Sequence, residues 1–223
     1  MKKKLLIWDF DGVVADTEKL WLYNRMVTLN EDFGLNWDEQ TVRKNLLGMS
    51  DKTKREVLDK MGIVTSDAFW EKNRQMDWEV MLSKGFKPTE GITDIFKMKN
   101  IKQCIATGTL REKMKIKIEV SGIGEWFSQK NVFTADQVLR GKPEPDLFLY
   151  ACEKMGEKPE DSIVVEDSVA GLKAAIKAGC LPVAFVKYAL QGDEEYFNDI
   201  KKIGVQNIFD NMEDLKRFIL NKM

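Results

Sequence analysis

Histidine is absent from the 223 residues. Its absence removes the commonest general base, Ser–His and Cys–His nucleophile pairs and the usual zinc-ligand sets, so acid–base chemistry must run on carboxylates, lysines or tyrosines. Cysteine is scarce. Cys104, Cys152 and Cys180 are widely spaced without a Cys-x-x-Cys, so neither a disulfide framework nor a thiolate metal site is expected, and a reducing cytoplasm is the default location. No apolar run approaches the length of a membrane span, and the few apolar residues after the basic opening Met1-Lys2-Lys3-Lys4 are too short for a signal peptide. Neither sign of charge is in excess: 35 Lys+Arg against 36 Asp+Glu leave a net charge of -1, which points to neither nucleic acid nor membrane as a partner. Repeats and low-complexity tracts are also lacking. A length of 223 residues with 43% hydrophobic and 32% charged residues fits one main globular domain with an insertion.

What is present is organised around Leu5-Leu6-Ile7-Trp8-Asp9-Phe10-Asp11-Gly12. A short apolar run bounded by charge reads as a buried strand, and it runs out into two carboxylates before a glycine. Positions i and i+2 of an extended chain share a face, so Asp9 and Asp11 are expected to point together beyond the strand's carboxyl end. Carboxylates held so close repel unless a cation or a shared proton neutralises them, which calls for a hard metal such as Mg²⁺.

Four helical segments follow with no strand between them. The first runs from Lys19 to about Phe33, capped by Asp16 or Thr17, with Leu20, Trp21, Tyr23, Met26, Val27 and Leu29 at near-helical spacing and Gly34 at its end. The others are 38–47 ending at Gly48, 51–61 between Ser50 and Gly62, and 66–84 ending at Gly85. The pattern then alternates: strands at 101–106, 131–134, 162–165 and 181–186, helices at 109–121, 146–155 and 169–178, and a weaker pair at 205–209 and 212–220. Such alternation predicts an α/β core with a mostly parallel, Rossmann-like sheet, and the first strand must join it. The expected division is an α/β core of residues 1–15 and 88–223 with a helical subdomain of residues 16–87 inserted.

Ligands of an open parallel sheet bind beyond the carboxyl ends of its strands. Asp9 and Asp11 leave the first strand, Thr107-Gly108-Thr109 the second, and Glu166-Asp167-Ser168 the strand ending at Val165, while Lys142 lies in the loop Arg140-Gly141-Lys142-Pro143. An acidic cluster for a cation, a hydroxyl and backbone amides for phosphate oxygens, and an ammonium group form the inventory that phosphoryl transfer needs. Each piece also has a plainer reading. Thr107 could cap the helix after it, Lys142 could be a surface lysine, and Glu166-Asp167-Ser168 could be an acidic helix start.

Asp9-Phe10-Asp11-Gly12-Val13, Thr107, Gly141-Lys142-Pro143 and Glu166-Asp167-Ser168 together resemble the four motifs of the haloacid dehalogenase-like superfamily, in its phosphatase and β-phosphoglucomutase branch with a helical cap. The resemblance implies Mg²⁺-dependent phosphoryl transfer through an aspartyl-phosphate. By motif position Asp9 would be the nucleophile, and Asp11 would protonate the leaving oxygen and then activate water. Thr107, Gly108 and Lys142 would hold the phosphoryl group. Asp167 and Glu166, directly or through water, would hold the metal together with Asp9 and the Asp11 carbonyl.

The sequence departs from the mutase where the family carries a distal-phosphate anchor. Trp21 aligns with a histidine and Asp51 with an arginine, and the adjacent Lys52 is not equivalent. Their loss favours a phosphatase over a phosphomutase, acting as a monomer on a small phosphorylated metabolite, plausibly a sugar phosphate. Trp21, Trp37, Trp78 and Arg43 are candidate substrate-facing groups, although aromatics at helical spacing more often fill a core. Two readings of another class are a phospho-accepting receiver domain and an inactive binding module. Receivers are about half this length and place their acceptor aspartate on a later strand, where this chain has none; the intact acidic set argues against the second.

Overall fold

The structure is a computed structural model that describes residues 2–46, 51–189 and 194–223. Gly48 and Ser50, expected to end one helix and cap the next, lie outside them, as do the side chains of Asp51 and Lys52. The chain divides into two compact units, one of Met1–Asp16 and Phe86–Met223, the other of Thr17–Gly85.

In the first unit, the described residues form strands β1 (Leu5–Trp8), β2 (Lys102–Thr107), β3 (Val132–Thr134), β4 (Ser162–Glu166), β5 (Leu181–Phe185) and β6 (Ile208–Phe209). They make one sheet in the order β3-β2-β1-β4-β5-β6, with every pairing parallel. β1 is central, Leu5 pairing with Lys102 on one side and Ser162 on the other. All four of its residues are fully buried, as a parallel strand covered on both faces requires. The alternation of side chains divides them: Leu6 and Trp8 join the apolar cluster on one face, Leu5 and Ile7 the cluster on the other.

The second unit consists of helices α1 (Glu18–Phe33), α2 (Glu39–Leu46), α3 (Asp51–Lys60) and α4 (Asp67–Lys84). The helices of the first unit are α5 (Ile92–Phe96), α6 (Arg111–Ser121), α7 (Asp146–Met155), α8 (Val169–Ala178), α9 (Glu194–Lys202) and α10 (Met212–Lys222). α5, α6 and α10 contribute Ile95, Met114 and Leu215 to the Trp8 face, and α7 and α8 contribute Phe148 and Ala174 to the Ile7 face.

Two helices lie where no element was expected. α5 has only five residues, too few for a periodic pattern, and α9 is a nine-residue helix in which Ile200 is the buried residue. The stripe read along α1 also differs from the expected one. Tyr23 is 58% exposed, whereas Asn24, Arg25 and Thr28 are buried. They are buried because they are paired: Arg25 donates to Asn73 (2.6 Å) and Asp77 (3.0 Å) of α4, Asn24 to Asp77 (2.7 Å) and Thr28 to Asn73 (2.8 Å). A polar seam therefore runs beside the apolar cluster of Leu22, Leu29, Val42, Leu58 and Trp70 within this unit. Thr17 stands at the expected N-cap of α1 but makes no side-chain capping bond, while Ser66 caps α4 by accepting from the Phe69 amide at 3.1 Å.

Candidate active site at the strand carboxyl ends

The strand order reverses between β1 and β4, so the crevice of the sheet opens at their carboxyl ends. Asp9 and Glu166 stand there. The Asp9 amide continues the ladder by donating to Val165 O at 2.9 Å, but the chain then turns, with Phe10 O accepting from Val14 (2.9 Å) and Ala15 (3.1 Å). Strand alternation thus ends before Asp11, and hydrogen bonds give the two carboxylates different partners, Lys142 for Asp9 and Lys117 with Thr109 for Asp11, while the charge of Asp11 still acts on Asp9.

Asp9, Glu166 and Asp167 each offer a carboxylate oxygen, and these oxygens lie within 4.8 Å of one another. Lys142 Nζ enters this group, 2.5 Å from Asp9 Oδ1 and 2.5 Å from Glu166 Oε1. Its loop is tied down by Arg140, which donates to Asp146 at the start of α7 (2.7 Å). Glu166 is fixed at its other oxygen by the amide (2.7 Å) and hydroxyl (2.9 Å) of Ser168, and that hydroxyl caps α8 by accepting from Gly171 N at 3.0 Å. Tyr196 of α9 donates its hydroxyl to the main-chain carbonyl of Asp167.

Two glycines make room for this cluster. A Cβ on Gly12, whose φ is +76°, would lie 1.9 Å from Asp167 Oδ2, and one on Gly171 would lie 1.8 Å from Glu166 Oε1. Only hydrogen at those Cα atoms lets the carboxylates pack directly against backbone.

Three carboxylates around one ammonium leave negative charge in excess. Burial, reinforced by Glu166 and Asp11 and opposed by Lys142, pushes Asp9 up to about 7. Burial, then the charges of Glu166 and Asp9, holds Asp167 well above the usual carboxylate range. For Lys142, burial works against the charged form, but Asp9 and Glu166 outweigh it and raise the ammonium above its ordinary value. An all-oxygen donor set short of positive charge fits a hard divalent cation.

Asp11 belongs to a second pairing. It accepts from Lys117 Nζ at 2.6 and 2.7 Å and from the Thr109 hydroxyl at 2.9 Å. Thr107, at the end of β2, is 1% exposed and accepts from the Thr109 amide at 3.1 Å; beside it the space at the Gly108 Cα is open. The capping reading of Thr107 does not describe what is seen, since α6 begins at Arg111 with Leu110 at its N-cap.

Lys117 and the Thr109 hydroxyl were not anticipated. Lys117 stands in Lys113-Met114-Lys115-Ile116-Lys117-Ile118, where the isoleucines look like the inward face, yet it is the lysine that is buried. The available signal was its spacing of three from Met114 and four from Ser121, both buried. In the helical unit Trp37 packs against the apolar cluster and so serves as core, while Trp21, Arg43 and Trp78 are partly exposed.

A family model described as haloacid dehalogenase-like hydrolase matches residues 6–185. The chain is 29% identical over 191 residues to the phosphorylated carbohydrates phosphatase of Thermotoga maritima, covering 83% of this chain and 86% of that protein. It is 32% identical over 186 residues to (DL)-glycerol-3-phosphatase 2 of Arabidopsis thaliana, covering 78% of this chain and 75% of that protein. Among solved structures, a HAD family hydrolase of Deinococcus radiodurans R1 with bound phosphate and sodium superposes with a TM-score of 0.85, over 99% of this chain and 96% of that one, at 21% identity. At that identity the likeness is one of fold. Among the described residues, no helix is long and apolar enough to cross a membrane.

Proposed function

Because the chain belongs to the haloacid dehalogenase-like hydrolase family, we propose that it is a phosphatase that hydrolyses small phosphorylated metabolites through a phosphoryl group carried on Asp9. The observation that carries this reading is the gathering of the Asp9, Glu166 and Asp167 carboxylate oxygens within 4.8 Å of one another, with Lys142 among them. The relatives named for phosphorylated carbohydrates and glycerol 3-phosphate support a sugar or polyol phosphate as substrate.

Asp9 attacks phosphorus in line with the leaving oxygen, and the bond from phosphorus to that oxygen breaks as its new bond forms. Asp11 supplies the proton that the leaving alkoxide takes. Water then attacks the aspartyl-phosphate, Asp11 accepts the water's proton, and inorganic phosphate departs with Asp9 restored. The Thr107 hydroxyl, the Gly108 amide and the Lys142 ammonium hold the phosphoryl oxygens throughout. Asp9, Glu166 and Asp167, with the main-chain carbonyl of Asp11, would hold Mg²⁺, which when bound would supply the positive charge that lets a carboxylate approach an anionic phosphate.

On this reading the α/β part, residues 1–15 and 88–223, carries the chemistry, and the helical part, residues 16–87, is a cap that selects the substrate. The absence of a mutase's anchors at Trp21 and Asp51 supports release of phosphate over its return to the substrate. Since every group named belongs to one chain, a monomer suffices. The buried, unbridged Cys104, Cys152 and Cys180 suit a reducing cytoplasm.

The test is a screen of sugar, polyol and other metabolite phosphates with Mg²⁺, reading released phosphate and any isomer formed, with Asp9→Asn as control. Phosphate release by the wild type alone, without isomer, is the expected result. Equal turnover by Asp9→Asn, or no release from any phosphate monoester, would overturn it.

A further inference from the structure

A lysine taken out of water needs a counter-charge, so the position of a buried one identifies its partner. Lys117 is 6% exposed on α6, and its ammonium lies against both oxygens of Asp11, at 2.6 and 2.7 Å. The same ammonium donates to Thr109 Oγ1 at 3.1 Å, and that hydroxyl donates to Asp11 Oδ2 at 2.9 Å, which closes a ring of hydrogen bonds around the carboxylate. The Phe10 ring, whose centroid is 5.4 Å from the ammonium, forms one wall of the pocket. The two carboxylates after β1 are thus served by separate lysines: Lys142 sits in the cation cluster with Asp9, while Lys117 holds Asp11.

Resting on the phosphatase reading above, we propose that Lys117 is a positioning residue for Asp11. The ammonium's contact with both carboxylate oxygens, with Thr109 as a third contact, fixes the ionised Asp11 that receives a proton from water; when Asp11 carries the proton, one oxygen stays on Lys117 and Thr109 while the other presents it to the leaving oxygen. Lys117 is not asked to touch the substrate; it removes the rotational freedom that a half-exposed aspartate in a turn would otherwise have. The pairing rests on Lys117 of α6 and Thr109, neither of which is among the carboxylates gathered with Lys142.

The experiment compares substrates that do and do not need the proton. Glycerol phosphate has an alkoxide leaving group that must be protonated, whereas 4-nitrophenolate departs without a proton. In Lys117→Met, kcat/KM for glycerol phosphate or another alkyl phosphate hydrolysed by the wild type should fall about 10- to 100-fold, the range seen when an orienting partner is lost. The value for 4-nitrophenyl phosphate should be unchanged, because kcat/KM there reports a first step without proton donation. In an Asp11→Asn background, Lys117→Met should have no further effect, as a double-mutant cycle of a residue acting through another requires. Equal losses for both substrates, full activity toward the alkyl phosphate, or an undiminished effect in the Asp11→Asn background would overturn the proposal. Lys117→Gln, which keeps a donor and should fall between wild type and Lys117→Met, serves if the methionine variant does not fold. A wild type inactive on both substrates would instead sink the phosphatase reading.

Discussion

The Glu166 carboxylate fills the volume in which a side chain of Gly171 would stand, its Oε1 only 1.8 Å from an ideal Cβ. In an ordinary helix position Gly→Ala stabilises by about 1 kcal/mol. Here the added methyl must displace a carboxylate held by Lys142 and by the Ser168 amide, and overpacking of that kind costs about 1–3 kcal/mol. Gly171→Ala should therefore lower the melting temperature and reduce phosphatase activity together. A stabilised, fully active variant in thermal denaturation and phosphate-release assays would contradict this.

The surplus of negative charge sets a sign for pH. In chelator, burial pushes Asp9 up to about 7, above its value in the unfolded chain. Between the ordinary carboxylate range and about 7 the folded state holds a proton that the unfolded state has released, so Asp9 makes stability fall as pH rises through that window. The slope from one such group is at most about 1.4 kcal/mol per pH unit. Asp9→Asn removes it, so the variant should gain on the wild type as pH rises to neutrality. Urea titrations across that range check the prediction; parallel curves would refute it.

Lys142→Met should act in the opposite direction. It leaves Asp9 and Glu166 buried without their ammonium, and breaking a buried pair costs about 3–5 kcal/mol. Equilibrium unfolding in chelator should show that loss, together with the absence of turnover.

Divalent cation should offset the same excess. A ligand that binds only the folded state stabilises it by about 2.7 kcal/mol at a hundred times its dissociation constant. Millimolar Mg²⁺ should raise the wild-type melting temperature and chelator should reverse the shift. Asp167→Asn, which removes one of the three converging carboxylates, should abolish most of it.

Much of this architecture could be read from the chain because local signals agreed with the global fold. The run Leu5 to Trp8 is apolar throughout since both its faces are covered, and Glu166 and Asp167 announce themselves by following such a run directly. What stayed hidden depended on contacts between distant residues. The turn after Asp9 was not legible, because strand periodicity does not say where a strand stops, and the partners that turn gives Asp11, Lys117 and Thr109, stayed hidden with it. Lys117 passed for surface charge because only the carboxylate of Asp11, 106 positions away, makes its burial tolerable. Arg25 was hidden in the same way, its counter-charge at Asp77 lying 52 positions along the chain.

That last pair predicts a further asymmetry. Asp77→Leu alone strands the buried guanidinium of Arg25 and should cost the helical unit about 3–5 kcal/mol. Arg25→Met combined with Asp77→Leu should cost less than the sum of the singles, since neither charge is then left alone. Additive losses in urea unfolding would show that the two residues are not coupled.

The central place of β1, whose Leu5 faces Lys102 on one side and Ser162 on the other, has a consequence for biosynthesis. Ser162 is made long after Leu5, and at about 5–20 residues per second the strand waits on the order of ten seconds or more for its second neighbour. During that interval a wholly apolar tetrapeptide lacks the cover it has in the finished sheet. A nascent chain halted before Ile163 would hold Asp9 with neither Glu166 nor Asp167 yet synthesised, so the three carboxylates cannot gather until β4 has been made.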